Sequence, residues 1–109
     1  MELNITFKGI AGGQGQPEFR DVLRFIRKLT EVASVPGIGM TTASINAGDD
    51  YNVRFEGDPD ALVNFLSGKF KQQSAWEDKG VGEDELVHPG PVRYVHINMA
   101  QLKADDLKP

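Results

Sequence analysis

Apolar and polar residues alternate over the first eight positions, with Met1, Leu3, Ile5 and Phe7 set against Glu2, Asn4, Thr6 and Lys8. A period of two over that length predicts a strand with one buried and one wet face. From Pro17 the period changes. Phe19, Val22, Leu23, Ile26, Leu29 and Ala33 recur at three- and four-residue spacing, Phe25 and Val32 widen the stripe, and Arg20, Arg24, Arg27 and Glu31 fall opposite it. This is the pattern of an amphipathic helix. Pro17 suits its first position, Glu18 and Asp21 complement its dipole, and "SVPGIG" stops it. Two shorter alternations follow. In 40–47 Ala43, Ile45 and Ala47 point one way, and in 51–56 Tyr51, Val53 and Phe55 do so. With "AGDD" between them they read as a hairpin.

A second helix opens on a strong signal, Asp58 as cap, Pro59 at the first position and Asp60 in the first turn. Leu62, Phe65, Leu66 and Phe70 form its apolar face, and Gly68 weakens it or marks its end. The polar stretch 72–91 then reads as a long acidic loop, of the kind that carries function when it occurs inside a small domain. A last strand is expected over "VRYVHINM", residues 92–99, with a frayed tail over 103–109.

The order strand, helix, strand, strand, helix, strand predicts an α+β, ferredoxin-like βαββαβ fold. Its four-stranded antiparallel sheet would carry two helices on one face, in a single domain over 1–109. In this element order, and in the glycines after the first strand, the chain resembles small regulatory ferredoxin-like domains of the ACT type. That resemblance implies amino-acid binding near the glycine corner. It transfers no individual residue, and the acidic stretch before the last strand departs from the pattern.

Composition narrows the chemistry. The 109 residues contain no cysteine, which excludes disulfides, thiolate metal sites and cysteine nucleophiles. The N-terminal "MELNITF" has neither a basic nor a long apolar run, so no signal peptide, no membrane span and a cytoplasmic location are expected. The formal charge of −4 is concentrated: between Ser74 and Pro91, Glu77, Asp78, Glu83, Asp84 and Glu85 stand against Lys79 alone. Nucleic acid is a poor partner for such a chain. The outward positions of the central strands also carry no aromatic residues on which bases could stack.

The glycines of "FKGIAGGQGQPEF", residues 7–19, match neither the dinucleotide fingerprint nor the P-loop. Their backbone N–H groups leave Gly12, Gly13 and Gly15 as an anion-binding alternative. Pro17 removes one donor, however, and Glu18 and Asp21 repel an anion, so a structural corner is favoured. His96 should face outward with Tyr94 and Asn98, and His88 and His96 lack a metal-ligand spacing, so no catalytic residue, metal or cofactor is assigned. The arginines of the first helix read as a solvated face. The remaining signal is Trp76 followed by Glu77, Asp78, Glu83, Asp84 and Glu85, an aromatic beside clustered acids. This combination suits contact with a protein partner of basic surface. The expected function is a non-enzymatic interaction module, an adaptor, accessory subunit or inhibitor, with small-anion or metabolite binding at the glycine corner as the alternative. A homodimer through the polar sheet face stays open.

Overall fold

The computed structural model describes residues 2–10, 15–33, 38–46, 48–56, 59–84 and 88–108. The strands are β1 (Glu2–Ile10), β2 (Ile38–Asn46), β3 (Gly48–Glu56), β4 (Trp76–Asp84) and β5 (His88–Asn98), and the helices are α1 (Phe19–Ala33) and α2 (Pro59–Lys69). They form one five-stranded sheet in the order β2-β3-β1-β5-β4. Three pairings are antiparallel, β1 with β3, β2 with β3 and β4 with β5. The central pair β1–β5 is parallel.

The α+β class and the two helices are as expected, but the antiparallel four-stranded sheet is not. The stretch 72–91 is largely strand: β4 occupies its middle and β5 begins within it at His88. A strand inserted after α2 reverses the chain once more. The last strand therefore reaches β1 running in the same direction, and a mixed sheet replaces the ferredoxin-like one. The expected turn also contracts, since β2 ends at Asn46 and β3 starts at Gly48.

Alternation puts Leu3, Ile5 and Phe7 of β1 on the same face as Tyr51, Val53 and Phe55 of β3 and Val95 and Ile97 of β5, and all of these are buried. The helices cover this face with Val22, Phe25, Ile26 and Leu29 of α1 and Leu62 and Leu66 of α2. Phe25 is the hub: its ring meets Phe7 edge-on at 6.2 Å, stacks on Phe65 at 6.3 Å and tilts against Phe70 at 5.6 Å. Burying side chains of this size contributes about 1.5–3 kcal/mol each before entropy is counted. The expected stripe of α1 is too wide. Phe19 and Leu23 remain 42 % and 37 % exposed, and Phe19 rests edge-on against Tyr51 at 4.9 Å.

The tail is packed rather than frayed. After β5 the chain makes two 3-10 turns, Met99–Gln101 and Ala104–Leu107, and Met99, Leu102 and Leu107 enter the core. Asp106 accepts the Lys103 N–H at 2.8 Å, and the Ala104 N–H donates to the Gly15 carbonyl at 2.7 Å. Lys69 Nζ donates to the Lys108 carbonyl at 2.6 Å. Two leucines, with few other apolar residues around them, are enough to pin a segment whose composition reads as polar.

Candidate functional site

The acidic stretch divides once it becomes a strand. Trp76 pairs with Ile97 and Asp78 with Val95, which turns both side chains toward the helices. Trp76 is half-buried against the core, and its indole N–H donates to the Phe70 carbonyl at 3.2 Å. Asp78 accepts from Arg93 Nη2 at 2.6 Å and Nε at 3.2 Å, and from the Gly80 N–H at 2.9 Å. Arg93 reaches on to Asp60 in the first turn of α2, Nη1 to Oδ1 at 2.8 Å. The Arg93 hydrogen bonds hold the Asp78 carboxyl below the usual carboxylate range against the opposing effect of burial, and the Gly80 N–H adds to them. Asp78 in turn holds Arg93 above its ordinary value. Trp76 and Asp78 therefore fasten β4 to the molecule.

Glu77 faces the other way and is exposed, with Lys79 Nζ at 3.5 Å. At Lys79 the register slips: Asp78 pairs with Val95 and Gly80 with Tyr94. Gly80 takes φ +84°, which a glycine adopts at little cost. The bulge moves Val81 to the helix-side row opposite Arg93, where it stands 58 % exposed. Glu83 and Asp84 belong to the end of β4, pairing with Pro91 and His88. Their side chains, and the whole of Glu85, lie outside the described residues.

At the glycine corner, Gly12 and Gly13 lie outside the described residues. The flanking donors are engaged by the chain's own carboxylates. The Gly9 N–H donates to Asp50 Oδ1 at 2.9 Å, and the Glu18 N–H to Asp21 Oδ2 at 2.8 Å. Gly9 has φ +74° and sits in a bulge where the β1–β3 register shifts between Phe7 and Ile10, which returns Ile10 to the core. Gly15, at φ +84°, contributes its carbonyl to the tail. Gly9 and Gly15 are accounted for by chain geometry.

The outer sheet face carries a concavity that sequence reasoning missed. An open cleft of about 570 Å³ is lined by Lys8 of β1, Ser74, Trp76, Glu77 and Lys79 at the start of β4, and His96 and Asn98 of β5. His96 is partly buried and held below its ordinary value, first by burial and then by the charges of Lys8 and Lys79; Glu77 and Asp50 act the other way. Burial and the two lysines thus favour the uncharged imidazole. Next to it, by register, Thr6 lies between His96 and Asn52, and its hydroxyl donates to Asn52 Oδ1. Farther along, Arg54 is buried with Glu2 at 3.3 Å, and Asn4 Oδ1 is buried with no hydrogen-bond partner among the described residues. The outward parity of Lys8, Thr6, His96 and Asn98 could be read from alternation. Their gathering at one end could not, because it depends on β1 and β5 being parallel neighbours.

Among the described residues no cluster of His, Asp and Glu could hold a metal ion, and no helix is long and apolar enough to cross a membrane. Comparison with protein families, curated proteins and solved structures finds no match to this chain.

Proposed function

We propose that this chain is a non-catalytic interaction module that takes a basic, extended partner segment along the free edge of β4. The observation that supports this reading best is the position of β4 at the end of the sheet order, with Val81 exposed on it. An edge strand offers unpaired backbone groups, and a partner strand can add to them with affinity from the main chain and specificity from alternate side chains. Charge selects the occupant. Glu77, Glu83 and Asp84 belong to β4, Glu85 follows in the sequence, and two copies meeting edge to edge would set acids against acids. Trp76 and Asp78 hold the strand in place on this reading and leave contact to Val81, Glu77 and the acids that close the strand.

A titration with peptides alternating lysine or arginine with valine tests it by amide NMR. Shifts should concentrate in residues 76–84 and fall away with added salt. Val81→Lys combined with Glu77→Lys should weaken binding by about tenfold or more. Undiminished binding by that variant, or shifts centred on β2, would refute the reading.

A further inference from the structure

We propose that the cleft around His96 is a binding site for a phosphomonoester, with its phosphate between Lys8, Lys79 and His96. The site opens on the outer sheet face, draws on β1, β4, β5 and the 3-10 turn before β4, and shares Glu77 with the proposed edge contact.

Its chemistry is a surplus of donors. Lys8 makes no ion pair among the described residues, and Lys79 has only the loose contact with Glu77 at 3.5 Å. Both ammonium groups line the cleft beside a partly buried imidazole, and after burial itself their charges lower its affinity for a proton. A dianion between the lysines would relieve this arrangement. Ser74 and Asn98 add a hydroxyl and an amide to the rim. A tetrahedral phosphate, with several acceptor oxygens and close to two negative charges, matches that set better than a monovalent carboxylate does. The cleft volume of about 570 Å³ falls in the range of small-molecule sites and far exceeds the needs of a bare anion. The Trp76 side of the cleft and the Glu77 carboxylate then face the organic part of the ligand, Glu77 as acceptor for a hydroxyl.

Occupancy and protonation are linked. The groups around His96 are Lys8 on β1, Lys79 and Glu77 on β4, and Asp50 on β3. A bound dianion counters both lysines, so the histidine takes up a proton more readily in the complex. The ligand's own second ionisation, near about pH 6, opposes this by removing the dianion, so the linkage is read from the His96 titration midpoint rather than from affinity.

The probes are glycerol 3-phosphate, inorganic phosphate and glycerol, titrated separately into the full chain and followed by amide and imidazole NMR. Glycerol 3-phosphate is expected to shift Lys8, Lys79, His96 and Asn98, to raise the His96 titration midpoint, and to bind more tightly than inorganic phosphate. Lys8→Ala with Lys79→Ala should weaken it by about tenfold or more without changing the thermal midpoint, since both side chains are exposed. Equal binding of inorganic phosphate would overturn the ester and leave a bare-anion site. Binding of glycerol alone, absence of shifts at millimolar ligand, or undiminished binding by the double variant would overturn the proposal altogether.

Discussion

Arg93 occupies the sheet row that carries Val95 and Ile97, at a position where another apolar residue would extend the core. Its guanidinium joins Asp78 of β4 to Asp60 of α2, which ties the outer hairpin to the helix layer. Arg93→Ala leaves Asp78 with only the Gly80 N–H in a partly shielded place. The expected loss is about 1–3 kcal/mol, read from urea unfolding. Asp60→Ala should cost far less, because that carboxylate is largely exposed. Since the Asp78 value is depressed on folding, its contribution is complete above the ordinary value of 3.8 and lost as pH falls through the lower folded value. An acid titration of stability should show that loss in the parent chain and not in Asp78→Asn. His96 acts in the same direction at higher pH. The unfolded chain takes the proton near 6.5 and the folded chain only below that, so stability declines as pH drops from 6.5 toward the folded value. His96→Gln should flatten the stability profile there.

Bulges decide how β1 and β4 present their side chains. In β4 the inward row is Trp76, Asp78 and Val81, a broken period containing one acid and one exposed valine, so hydrophobic alternation cannot reveal it. In β1 the inward row steps from Phe7 to Ile10 across Gly9. A Cβ on Gly9 would meet nothing within 4 Å, so the cost of Gly9→Ala comes from its φ of +74°. About 1 kcal/mol of destabilisation is expected, measurable as a lower denaturant midpoint with an unchanged slope. Gly82 differs: a Cβ there would stand 3.1 Å from the Tyr94 ring, so that glycine lets the ring lie over β4. The tail offers a sharper test. Ending the chain after Leu102 removes Leu107 and the contacts of Ala104 and Lys108, and should cost about 2–3 kcal/mol. A truly frayed tail would leave the thermal midpoint where it was.

One hydrophobic cluster joins all three central strands, both helices and the terminal turns. A chain built on one core should unfold cooperatively. Trp76 fluorescence, which reports the outer hairpin, and far-ultraviolet circular dichroism, which reports the whole, should lose signal at the same denaturant concentration. An earlier fluorescence transition would mean that β4 detaches from a stable remainder.

Alternation in β1, β3 and β5 and the apolar stripe of α1 were legible from local pattern alone, while the Asp58 cap expected for α2 lies outside the described residues. Each is enforced by burial along one face, and burial along one face leaves a period in the sequence. From these came the α+β class, most of the core and the outward parity of His96. The partners of Trp76 and Asp78 lie at Phe70 and Arg93, and no local rule reaches that far. An edge strand held by an ion pair, one indole and a bulge carries too little apolar periodicity to announce itself. Once it is in place, strand direction follows, β1 and β5 become parallel neighbours, and Lys8, Lys79 and His96 gather around one cleft. Periodicity depends on which residues are buried, whereas a site depends on which elements become neighbours, and that was decided only when the sheet closed its order.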